Sequence, residues 1–102
     1  MTYANTELTR AQVDALRGHV VIDFGANWCG HCQAAETVIN SALEGQNNLQ
    51  HLKVEDGKGR ALGRSFAVKL WPTLIFLRDG QEIGRLVRPN ATSDIQSLLR
   101  LL

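Results

Sequence analysis

The sequence predicts an α/β fold with a central mixed β-sheet and helices on both faces. Three observations carry that expectation. Strand-like and helix-like segments alternate along the chain in the order β-α-β-α-β-β-α, behind one short leading helix. The first strand candidate, His19-Val20-Val21-Ile22-Asp23-Phe24, is β-branched and almost continuously apolar, as a strand buried on both faces would be. The pair Asp79-Gly80 lies between the last two strand candidates and marks a tight hairpin, which makes that pairing antiparallel.

The elements follow in order. Thr9 caps a short helix, Ala11 to Leu16, which stops at Gly18. The apolar strand from His19 comes next, and its continuity favours a parallel partner. Asn27-Trp28-Cys29-Gly30 breaks the pattern and opens a helix in which Ala34, Ala35, Val38, Ile39, Ala42 and Leu43 recur at helical spacing, until Gly45 ends it. Leu49 to Glu55 is a second strand and Asp56-Gly57-Lys58-Gly59 a turn. Arg60 to Phe66 is a short helix with Leu62 and Phe66 on one side. Pro72 to Leu77 is a third strand, beginning at a proline as strands tolerate. Glu82 to Val87 returns antiparallel after the hairpin. Thr92 or Ser93 caps a final helix with Ile95, Leu98, Leu99 and Leu102 on one face. The early β-α-β units imply right-handed crossovers.

The chain has 102 residues, 44% hydrophobic and 21% charged, which suits one domain over 1–102 rather than two. Eleven Lys and Arg face ten Asp and Glu, a net charge of +1. That balance argues against nucleic acid or an anionic membrane as the main partner. No apolar run approaches the roughly 20 residues of a membrane span. The opening residues lack the basic and apolar stretches of a secretory signal, so a cytoplasmic location is expected. Lys58, Arg60, Arg64 and Lys69 read as a solvated basic face.

The chemistry centres on Trp28-Cys29-Gly30-His31-Cys32. Two cysteines three positions apart at a helix start close a small disulfide ring with little backbone movement. The helix N-terminus favours a thiolate on the first cysteine. Cys29 is therefore expected to be the exposed nucleophile, and Cys32, inside the first turn, the buried resolving thiol. His31 adds a titratable group beside them. The competing readings are half of a zinc site or inert buried cysteines. Zinc needs about four ligands, and His19 and His51 would have to converge on Cys29, Cys32 and His31. Dithiol redox chemistry fits the strand before and the helix after the motif best.

Ile22-Asp23-Phe24, Trp28-Cys29-Gly30-His31-Cys32, Trp71-Pro72-Thr73 ahead of an apolar strand, and the Asp79-Gly80 hairpin together resemble the thioredoxin family, over nearly the whole chain. The resemblance implies a thioredoxin-like fold and a thiol-disulfide oxidoreductase. It would reduce protein disulfides through Cys29 and Cys32 with electrons from a reductase, as a monomer with no bound cofactor or metal. It implies that Asp23 is a buried carboxylate taking the proton of Cys32, with a raised pKa, and that Lys53 neighbours it. Pro72 resembles the family's cis-proline, which would leave the Trp71 backbone free to pair with an extended substrate. Trp28 resembles the aromatic that covers the disulfide. Gly30, Trp71, Pro72 and Arg88 complete the expected substrate-facing set.

Several positions depart from the common thioredoxin pattern. His31 replaces a proline and resembles the protein disulfide isomerase motif. Gly25 stands where a second tryptophan is common, Thr37 where a kinking proline often is, and Trp71 where a smaller aliphatic residue is typical. Arg88 falls near a groove glycine. Isomerase or oxidase activity, and a non-catalytic adaptor built on this fold, are the alternatives.

Overall fold

The computed structural model describes residues 2–5 and 7–102. Its elements are α1 (Arg10–Asp14), β1 (His19–Gly25), α2 (Gly30–Leu43), β2 (Leu49–Glu55), α3 (Ala61–Ser65), β3 (Thr73–Arg78), β4 (Gln81–Val87) and α4 (Thr92–Leu99). The expected order holds, with ends moved by a residue or two where helices fray and strands extend.

Among the described residues the strands form one mixed sheet in the order β2-β1-β3-β4. β1 pairs parallel with β2 and antiparallel with β3, and β3 pairs antiparallel with β4. The parallel partner expected for β1 is therefore present on one side only. The hairpin turn has Asp79 at φ 51° and Gly80 at φ 81°, the two left-handed residues that match the twist of the flanking strands. The Asp79 side chain accepts from Gly18 N at 2.8 Å and so fastens the hairpin to the residue before β1.

Strand alternation divides the core in two. Val20, Ile22 and Phe24 face α1 and α3 and pack with Val13, Leu62 and Phe66. Val21 faces the other way and packs with Ala35 and Ile39 of α2 and Ile95 of α4. Phe24, Ile22 and Ile95 are fully buried, and burial of each such side chain is worth roughly 1.5–3 kcal/mol. Helices thus cover both faces. Thr9 caps α1 as expected, in a reciprocal box with Gln12. The cap of α4 is a correction: Ala91 holds that position without a side-chain bond, and Thr92 is already helical. The stretch around Ala4 adds a further contact with the sheet, bridging in parallel to Val54 of β2. It has no periodic pattern that would announce it.

Candidate active site

The same alternation that sends Val21 toward α2 sends Asp23 there too. β1 then ends at Gly25, the chain turns through 26–28, and Cys29 becomes the N-cap of α2. Its sulfur does what a serine or aspartate oxygen does at that position, and Sγ accepts from Cys32 N at 3.2 Å. Cys32 follows in the first turn. Both cysteines are in the dithiol form.

Both are also buried, Cys29 at 6% and Cys32 at 3% exposure, which corrects the expectation of an exposed Cys29. They share a small apolar cluster with Tyr3 and Ala26, against which Trp71 packs. The difference between the two thiols therefore rests on bonding, not on access. Burial, with the neighbouring Cys29, pushes the Cys32 thiol up to about 11, while the Ala26 backbone and Tyr3 pull it the other way.

Trp28, next to Cys29 in the chain, lies at the surface. It is 73% exposed and stands edge-on to Trp71 with centroids 5.5 Å apart. Trp71 packs against the cysteine cluster, and its indole Nε1 donates to Asp56 Oδ2 at 2.9 Å. The Trp71–Pro72 bond is cis. The Trp71 carbonyl accepts from Arg88 Nε at 2.8 Å. Arg88 N in turn donates to Pro72 O at 2.8 Å. Arg88 and His31, both exposed, line one shallow cleft of about 230 Å³ with Ala34, Val38 and Pro89. Gly30 opens α2, and a Cβ there would meet nothing within 4 Å.

Asp23 is fully buried. Its Oδ1 accepts from the Tyr3 hydroxyl at 2.7 Å, and Oδ2 has no hydrogen-bond partner among the described residues. Burial raises its pKa from 3.8 to about 6; the Tyr3 bond and the Lys53 charge lower it, and Glu36 raises it. Lys53 is the register partner of Asp23 on β2. Its Nζ lies 3.8 Å from Glu36 Oε1 and 4.4 Å from the centre of the Tyr3 ring.

Tyr3 is the residue that the sequence reading missed. Backbone bonds hold it in place: Tyr3 N donates to Asn27 Oδ1 at 2.8 Å, Ala4 N to Lys53 O and Glu55 N to Ala4 O, both at 2.9 Å. One signal was available, a lone aromatic in an otherwise polar opening. Asp56 was likewise read only as a turn residue. Among the described residues, no three His, Cys, Asp or Glu side chains gather as a metal site would require, and no helix is long and apolar enough to cross a membrane.

A mixed sheet with helices on both faces, carrying a cysteine pair at the N-terminus of the helix that follows its central strand, defines a dithiol–disulfide protein. The family model described as Thioredoxin matches residues 2–100. The chain is 35% identical over 85 residues to a thioredoxin of Chlamydia caviae, covering 83% of this chain and 80% of that protein. It is 37% identical over 68 residues to thioredoxin H2-1 of Oryza sativa subsp. japonica, which covers 67% of this chain. That match spans about half of the rice protein's length, 49%. The structure of thioredoxin 2 from Pseudomonas aeruginosa PAO1 in its reduced form superposes with a TM-score of 0.88 at 46% identity, covering 99% of this chain and 94% of that one. The chain belongs to the thioredoxin family, whose members are protein-disulfide reductases, and it carries its cysteine pair at the family's active-site position.

Proposed function

We propose that this chain reduces disulfides in protein substrates by cycling Cys29 and Cys32 between dithiol and disulfide, with electrons returned by a reductase. The observation that carries the reading is the Cys29 sulfur at the cap of α2, accepting from Cys32 N, above a buried carboxylate at Asp23. Cys29 attacks one sulfur of the substrate disulfide and releases the other as a thiol. Cys32 then attacks Cys29, the mixed disulfide breaks, and the substrate leaves with two electrons gained. Asp23 receives the proton that Cys32 gives up, and Lys53 tunes it through charge. Trp28, Gly30, His31, Trp71, Pro72 and Arg88 form the surface that meets the substrate. The protein works without a bound cofactor, as a cytoplasmic monomer.

Reduction of insulin disulfides by dithiothreitol tests this. The wild type is expected to accelerate precipitation of the insulin B chain, and Cys29→Ser to abolish the acceleration. A Cys32→Ser variant should accumulate the mixed disulfide instead of turning over. No acceleration by the wild type, with partners still bound, would make the protein an adaptor. The His31 side chain supports a second reading, a more oxidising poise. Equilibration with glutathione decides it, since a potential well above the roughly −270 mV of thioredoxin favours oxidase or isomerase work.

A further inference from the structure

In place of the bulky residue common after the β1 phenylalanine, the chain has Gly25. A Cβ built at Gly25 would lie 2.6 Å from Cys32 Sγ and 2.7 Å from the Tyr3 hydroxyl oxygen. No side chain fits there. The sulfur and the hydroxyl thus both border the spot that the glycine leaves open, within one packed cluster. From its other side the same hydroxyl donates to Asp23 Oδ1 at 2.7 Å. Tyr3 is 6% exposed and Asp23 0%, and a cleft of about 250 Å³ lined by Tyr3, Cys32, Glu36 and Lys53 opens beside them.

We infer that the Tyr3 hydroxyl is a proton relay between Cys32 and Asp23, a role that rests on the disulfide-reductase reading above. When Cys32 attacks the mixed disulfide, its S–H proton passes to the Tyr3 oxygen while the Tyr3 proton passes to the Asp23 carboxylate. The Cys29–Cys32 bond forms, the bond from Cys29 to the substrate sulfur breaks, and the substrate leaves as a thiolate. Asp23 ends protonated and tyrosine ends neutral, so charge and atoms balance. The hydroxyl does not ionise on the way, because burial and the nearby Asp23 hold the tyrosine well above its ordinary range. Around Asp23 stand Tyr3 from the leading segment, Lys53 from β2 and Glu36 from α2; around Cys32 stand Tyr3, the Ala26 backbone and Cys29 at the cap of α2. Lys53 sits over the tyrosine ring and favours the ionised acceptor form of Asp23. Gly25 and Tyr3 thus belong together: the missing side chain makes room for the relay.

The aromatic disulfide 5,5′-dithiobis(2-nitrobenzoate) separates the steps, because it releases one chromophore when Cys29 attacks and a second when Cys32 resolves. In Tyr3→Phe, which keeps the ring and removes only the oxygen, the first phase should stay within about two-fold of wild type. The second should slow by about 10- to 100-fold near pH 7, at or below the low end of what a positioned acid–base group contributes. On the wild type alone, a proton inventory in H₂O/D₂O mixtures should curve for the second phase, since two protons move together. A second phase within two-fold of wild type in Tyr3→Phe, or a linear inventory in the wild type, overturns the relay. Absence of the first phase in the wild type would instead overturn the reductase reading.

Discussion

At the scale of single residues, Asp23 shows how burial is turned into chemistry. Its folded pKa is raised from 3.8 to about 6 by desolvation. The folded state therefore holds a proton more tightly than the unfolded chain does. The resulting stabilisation is fully present below about pH 4 and is lost as pH rises through about 6; above that, the buried carboxylate is a net cost. Asp23→Ala should raise stability near pH 8 by roughly 2 kcal/mol, since one pKa unit is worth about 1.4 kcal/mol and loss of the Tyr3 bond takes back part of the gain. The gain should shrink toward pH 4, and the resolving step should slow. Denaturant melts at both pH values, with the two-phase chromophore assay, check both halves. A variant less stable at pH 8 than wild type would contradict the assignment of Asp23 as a buried charge whose desolvation outweighs its partners.

At the scale of elements, α2 makes two like thiols unlike. Cys29 caps the helix and accepts a backbone N–H, while Cys32, one turn in, is pushed up to about 11. Limiting iodoacetamide near pH 7 should alkylate Cys29 well before Cys32, since the thiolate is the reactive form. Labelling of Cys32 should grow only as pH climbs toward 11. Peptide mass spectrometry after a pH series reads this directly, and equal labelling at pH 7 would contradict it. The elements were also the part of the molecule most legible in the sequence. β1, α2, β2 and the β3–β4 hairpin each carry their own periodicity or turn chemistry within a dozen residues. What stayed hidden depends on partners far apart in the chain. Tyr3 has its role only because Gly25, 22 positions on, leaves a gap. Trp71 packs against the cysteines with its indole held by Asp56, 15 positions back in the chain. The Trp71 carbonyl is occupied because Arg88, at φ 52°, turns back over it. No local pattern announces contacts of that kind.

At the scale of the whole molecule, the two large cores lie on opposite faces of the sheet, and the site lies apart from both. Its own small cluster of Tyr3, Ala26, Cys29 and Cys32 is a third body of apolar contact, bordered by a leading segment that meets the sheet at the Ala4–Val54 bridge and through Tyr3, on Asp23 and under Lys53. The cores fix the positions of β1 and α2, and with them Asp23 and the cysteines. They do not fix Tyr3.

That separation gives the bridge at Ala4 a consequence in heat and time. A segment held at the sheet margin by a few bonds opens at a lower free energy than the sheet it leans on. Warming should therefore detach it while β1 through α4 remain folded. The second chromophore phase should fail several degrees below the main calorimetric transition, with the first phase still running. Amide hydrogens of Ala4 and Glu55 should exchange with solvent deuterium earlier than those of Val21 and Ile22, and on the same temperature schedule as the failing step. Loss of both phases together at the main transition would show that the edge and the cores melt as one. Otherwise the molecule has a built-in order of failure, in which it still seizes disulfides but no longer lets them go.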